Sequence, residues 1–173
     1  MDICESNKAV SEEVRNFMFH VKDAKEESIT DYLVWKWREL DKRFNYLSVR
    51  TFNHEEESTK TGADFDLELW FVGPKNHISL AVQAKKFIKQ HDSYVRKLRY
   101  PKNTKKQMDT LLNYAFSTGK LPFYFIYTIP QNTTKTLCGL GDVNGSIYMA
   151  DARIIEKFTN KGKSKRVSRE SYN

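Results

Sequence analysis

Residues 63–87 read ADFDLELWFVGPKNHISLAVQAKKF. Strict alternation puts Asp64, Asp66, Glu68 and Trp70 on one side of an extended chain and Phe65, Leu67, Leu69 and Phe71 on the other, which is the period-two signature of a strand. Gly73, Pro74, Lys75 and Asn76 have turn composition, and the Ile-, Leu- and Val-rich run after them reads as a returning strand. A hairpin closed by that turn places Asp64 across from either Gln83 or Lys85. In both registers Asp64, Asp66, Gln83 and Lys85 share one face, because side chains two apart point the same way. Directly opposed side chains lie about 4.5–5.5 Å apart at Cβ, close enough to share a metal ion. A solvated face with a cross-strand Asp–Lys pair, contributing about 0.2–1 kcal/mol, would give the same spacing, so the alternation alone leaves both readings open.

Outward from the hairpin, SEEVRNFMFHVKDA at 11–24 follows Val10 and places Val10, Val14, Phe17, Met18 and Val21 at helical spacing, with Ser11 as a cap. EESITDYLVWKWRELDKRF at 26–44 is the clearest helix, with Ser28 and Asp31 resembling a capping box and Ile29, Leu33, Trp37, Leu40 and Phe44 roughly four apart. It stands alone or continues the helix before it. YLSVRTFN at 46–53 reads as a strand and EEESTKTG at 55–62 as a polar connection. On the far side, KQMDTLLNYAF at 106–116 carries Met108, Leu111, Leu112, Ala115 and Phe116 on one helical stripe. LPFYFIYTI at 121–129 is an apolar run suited to a buried strand. A Gly-rich loop, a short strand and a last helix follow. The expected architecture is α/β, a central mixed sheet of about four to five strands flanked by helices. One domain covers residues 1–158, and the basic segment 159–173 is a flexible tail.

At 173 residues with 39% hydrophobic content, the chain can bury a core of ordinary domain size. Cys4 and Cys138 are too few and too far apart for a disulfide framework or a zinc cluster. The polar opening MDICESNKAV does not resemble a secretory signal, and no apolar run reaches the roughly 18 residues of a membrane span, so a cytoplasmic protein without membrane contact is expected. The formal charge of +7 suits a polyanionic partner. Between Lys85 and Lys106 the chain carries Lys85, Lys86, Lys89, Arg96, Lys97, Arg99, Lys102, Lys105 and Lys106 against one acid, Asp92. Tyr94 and Tyr100 are interleaved with these cations, a mixture that can neutralise phosphates and stack on a base; a solvated basic loop is the alternative. His20, His54, His77 and His91 lack metal or triad spacing, and Trp35, Trp37 and Trp70 are expected in the core.

Gly62-Ala63-Asp64, followed by Gln83-Ala84-Lys85 at the end of an apolar strand, resembles the signature of PD-(D/E)xK nucleases, with Gln83 in the position usually held by Asp or Glu. The order of one helix, three strands, a helix and a fourth strand matches the restriction-endonuclease-like core of that superfamily. More narrowly, EESITD, ESTKTGAD, VQAKK, the Gln107 helix, PFYFIY and SIYMADAR, spanning Glu26 to Arg153, are similar to an uncharacterised bacterial domain-of-unknown-function family within it.

The resemblance implies a Mg²⁺- or Mn²⁺-dependent endonuclease acting on nucleic acid, DNA before RNA. Asp64 would be the main metal ligand, a hard oxygen suited to those ions. Gln83 would offer its amide oxygen but no charge, so a further carboxylate is needed. Glu27 on the first EESITD turn is the best match, with Glu26, Glu57 and Asp66 as secondary candidates. Lys85 would orient the attacking water and stabilise the transition state. Lys86, Lys89, Arg96, Lys97, Arg99, Lys102 and Gln107 would contact nucleic acid. Association with similar bacterial proteins extends the expectation to defence against phage or foreign DNA, and many nucleases of this kind act as homodimers. A catalytically inactive nucleic-acid-binding module on the same scaffold is the alternative that Gln83 favours.

Overall fold

The structure, a computed structural model, describes residues 2–21, 23–72, 76–87, 104–129 and 145–160. Helix α1 runs Ile3–His20 and α2 Glu26–Phe44; β1 is Leu47–Thr51; a short α3, His54–Glu56, leads into a π-helical turn, Glu57–Thr61; β2 is Phe65–Val72 and β3 Asn76–Phe87; α4 is Thr104–Thr118; β4 is Leu121–Thr128, β5 Ile147–Asp151 and α5 Ala152–Asn160. The strands form one sheet in the order β1-β2-β3-β4-β5. β3 and β4 are parallel and the other pairs antiparallel, so the molecule is an α/β domain with a five-stranded mixed sheet flanked by helices. The one parallel step is the one joined by a helix, as a parallel connection requires.

Each sheet face is apolar and must be covered. On one face, Val10, Val14 and Met18 of α1 and Ile29, Leu33 and Trp37 of α2 pack on Phe65, Leu67, Leu80, Val82, Phe125 and Tyr127. Trp37, Phe65 and Phe125 meet edge-to-face in a ring triangle with centroids 5.5–6.2 Å apart, a geometry that adds about 0.5–1.5 kcal/mol per pair beyond burial. On the other face, Met108, Leu111 and Ala115 of α4 and Ala152 and Ile155 of α5 cover Ala81, Tyr124 and Ile126. Of the tryptophans expected in the core, Trp37 is buried and Trp35 is exposed.

Local signals shifted several boundaries. α1 starts at Ile3 rather than near Ser11, because Asp2 and Glu5 form a reciprocal capping box. Ser11 lies inside the helix, where its Oγ accepts the Ser146 N–H at 3.0 Å and its carbonyl accepts the Ser146 hydroxyl at 2.7 Å. α2 begins at Glu26 with no side-chain cap, leaving Ser28 within its first turn, and is separate from α1. It ends at Asn45 in the left-handed conformation, and Asp41 accepts the N–H groups of Tyr46 and Leu47 that follow. The segment expected as a polar connection, 55–62, is helical and π-helical. The final helix reaches Asn160; the rest of the tail and turn residues 73–75 lie outside the described residues.

Candidate active site

The hairpin register is Phe65 opposite Val82 and Asp66 opposite Ala81. This brings Asp64, one step before β2, beside Gln83, and the Asp64 N–H donates to the Val82 carbonyl at 2.8 Å. Gln83 is fully buried. Its Nε2 donates to Asp64 Oδ2 at 2.5 Å and to the Ala84 carbonyl at 3.2 Å. The Ala84 N–H donates to the same Asp64 oxygen at 2.5 Å. Gln83 Oε1 is buried and has no hydrogen-bond partner among the described residues.

Lys85 reaches the start of α2. Its Nζ lies 3.2 Å from Glu26 Oε1, while Glu26 Oε2 accepts the Lys86 N–H at 2.6 Å. Lys86 Nζ donates to the Ala24 carbonyl, so Lys86 is half-buried against the α1–α2 junction. Tyr127, fully buried, shares a hydrogen bond with Thr30 Oγ1 at 3.0 Å, and Thr30 in turn donates to the Glu26 carbonyl at 3.1 Å. The first turn of α2 is thereby fastened to β4, and Glu26 with it.

A second acid arrives from the π-helical turn, a local geometry frequent at functional sites. Glu57 Oε1 accepts the Gln107 amide of α4 at 2.6 Å, and Oε2 lies 3.5 Å from His54 Nδ1. Gly62 closes the turn at φ +62°, and a Cβ there would stand 2.5 Å from the Gln107 carbonyl oxygen and from the Leu111 nitrogen. Only glycine lets the turn dock this closely on α4.

The result is a crowded acidic recess. Burial first, and then Glu57, push the Asp64 carboxyl up from its ordinary value of 3.8 to about 8; Lys85 and the Ala84 N–H pull it down and Glu26 adds to the rise. Burial raises the Tyr124 hydroxyl as well, with Asp64 and Glu26 contributing.

The sequence-derived residues separate into groups. Asp64, Gln83 and Lys85 converge, and of the candidate acids Glu26 and Glu57 join them. Glu27 is instead exposed, 3.9 Å from His54 Nε2. Asp66 is buried and bound to Lys120 Nζ and, at 2.6 Å, to the Tyr114 hydroxyl, so it anchors α4 and the start of β4. Gln107 contacts Glu57. Lys89, Arg96, Lys97, Arg99 and Lys102 lie outside the described residues. The sequence reading missed Tyr124, Tyr127 and Thr30, which look like plain core positions in their segments.

Among the described residues no three His, Cys, Asp or Glu side chains group to hold a metal ion, and no helix is long and apolar enough to cross a membrane. The donor set nevertheless fits a hard cation. Gln83 Oε1 is a buried oxygen without a partner among the described residues, burial and then the Glu57 charge raise the Asp64 carboxyl so that a cation beside it would be favoured, and Mg²⁺ needs only one or two carboxylates because it keeps several waters.

Residues 3–172 match a family described as a family of unknown function, DUF6615. The chain belongs to that family. No curated protein matches it. In this DUF6615 chain the chemistry-bearing side chains meet between β2, β3, the α2 start and the π-helical turn.

Proposed function

We propose that this DUF6615 chain is a metal-dependent nuclease of the PD-(D/E)xK kind, with a restriction-endonuclease-like core, hydrolysing phosphodiester bonds of nucleic acid, DNA before RNA. The convergence of Asp64, Gln83 and Lys85 in one recess, with Glu57 and Glu26 supplying carboxylates, carries this reading. Mg²⁺ or Mn²⁺ would be held by Asp64 and Gln83 Oε1, with Glu57 in place of the acid that Gln83 lacks. Bound there, such an ion lowers the pKa of a coordinated water and polarises a phosphoryl oxygen.

The chain's own residues do the rest. Lys85 lies at the edge of the recess, held by Glu26 at 3.2 Å, and can turn its ammonium to a phosphate whose negative charge grows in the transition state. Fixed donors of this kind are worth about 10²–10³ in rate. Glu26 aligns Lys85, and Gln107 aligns Glu57. The net charge of +7 favours approach of a polyanion. A cytoplasmic role in defence against foreign DNA, and a homodimer cutting two strands, extend the same proposal.

The second reading is an inactive nucleic-acid-binding module. It is favoured by the neutral Gln83 and by the engagement of Lys85 with Glu26. Incubating the protein with single- and double-stranded DNA and RNA, in Mg²⁺, Mn²⁺ or EDTA, beside Asp64→Ala and Lys85→Ala, separates the two. Metal-dependent cleavage absent from both variants supports the enzyme. Salt-sensitive binding without cleavage, unchanged in the variants, supports the module.

A further inference from the structure

Gln83 and Tyr124 are directly paired across the parallel β3–β4 ladder, so their side chains leave the sheet on the same face. Both residues are fully buried. Gln83 Oε1 and the Tyr124 hydroxyl each lack a hydrogen-bond partner among the described residues. Two neighbouring orphans of this kind, each costing about 1–3 kcal/mol if left unsatisfied, call for a common partner. The amide nitrogen of Gln83 is already committed to Asp64 and Ala84, so its oxygen is the end that needs a donor. Tyr124 has a hydroxyl proton to give. The small side chains of Ala63 and Ala81 lie in the same core layer.

We propose that Tyr124 is a positioning residue of the site, holding the Gln83 amide in its present orientation through one shared, buried water that donates to one lone pair of Gln83 Oε1 and leaves the other for the ion of the proposed function. Such waters typically make about three hydrogen bonds to otherwise unpaired buried groups. The bridge decides which end of the amide meets Asp64. Without it the amide can rotate and withdraw its nitrogen from the carboxyl. The arrangement rests on geometry alone, and only its kinetic consequence rests on the nuclease reading.

The test compares the full-length wild type, Tyr124→Phe and, as a control, Tyr148→Phe, which removes another buried hydroxyl without a partner but is not paired with Gln83. A high-resolution crystal structure should show a water about 2.7–3.2 Å from both Tyr124 Oη and Gln83 Oε1. By ¹⁵N NMR, the Gln83 side-chain amide protons should exchange about tenfold faster in Tyr124→Phe and at the wild-type rate in Tyr148→Phe. Cleavage by Tyr124→Phe should show kcat about tenfold lower, as loss of one hydrogen bond implies, at unchanged KM. A dry contact between the two side chains, unchanged Gln83 exchange in Tyr124→Phe, or equal acceleration in both variants overturns the proposal. If Tyr124→Phe does not fold, presence or absence of the water in the wild type decides. Water and exchange effects in a protein that cleaves nothing would refute the nuclease reading and leave the positioning role standing.

Discussion

Gln83 donates its side-chain amide to Asp64 at 2.5 Å, so the two residues that face each other across the hairpin are bonded directly. A second carboxylate there would repel Asp64. A glutamine steadies it, and on the proposed reading the negative charge for a metal would come from Glu57 and Glu26.

The protonation of Asp64 should be visible in stability. Its carboxyl is pushed up to about 8, chiefly by burial and then by Glu57. A folded-state pKa above the unfolded one means the neutral acid favours folding. That contribution is full below about pH 4 and is lost as pH rises through about 8. In EDTA, the wild-type Tm should therefore fall more steeply between these limits than that of Asp64→Asn. At about pH 8.5 the variant should melt at the same temperature or higher. Parallel melting curves across the range would rule out the raised pKa.

Ion binding should displace that proton. Below about pH 7, Mn²⁺ binding is expected to release about one proton per ion, because the ligand carboxyl must ionise. Calorimetry in two buffers of different ionisation enthalpy measures it. Asp64→Asn should abolish the release, and a buffer-independent heat in the wild type would contradict the assignment.

The candidate acids should differ in effect. Glu57→Gln is expected to lower cleavage by about 10²-fold or more and Lys85→Ala by about 10²–10³, whereas Glu27→Gln, at an exposed position facing His54, should stay within about twofold. Single-turnover rates on one labelled substrate would decide. A loss in Glu27→Gln matching that in Glu57→Gln would return Glu27 to the site.

Gly62→Ala should strain the clamp that holds the π-helical turn on α4. With φ +62° and backbone atoms 2.5 Å from the added Cβ, the cost is about 1–3 kcal/mol, roughly 2–4 °C of Tm per kcal/mol in a chain of this size. Thermal denaturation tests it, and an unchanged Tm would mean that the turn is not held as described.

Asp66 should matter for folding rather than chemistry. Removing one partner of a buried ion pair strands the other charge, so Asp66→Ala is expected to destabilise by about 3–5 kcal/mol, since it deprives Lys120 and Tyr114 of their shared acceptor. Denaturant titration gives the number, and a change below about 1 kcal/mol would argue for a role at the site instead.

The hairpin was legible because its information is local. Alternation from Asp64 to Phe71 and the short return to Lys85 confined the register to two choices, and the observed one has Asp64 beside Gln83. The capping box at Asp2 and Glu5 is equally local, and it sets the start of α1 at Ile3, ahead of Ser11. The sequence reading preferred Glu27 to Glu26, but adjacent residues on a helix point about 100° apart, and the docking of α2 on β3 puts Glu26 on Lys85 and Lys86.

By itself, then, the sequence determined the strands, the α/β class and the shared sheet face of Asp64, Gln83 and Lys85, because period and turn chemistry act over a few residues. Tertiary structure alone decided that Glu26 meets Lys85, that Glu57 crowds Asp64, and that Tyr124 stands next to Gln83. Those pairings depend on the parallel β3–β4 register, the docking of α2 and the seat of the π-helical turn on α4. Each is a contact between segments distant in the chain, set by how whole faces pack and not by the pattern of any one of them.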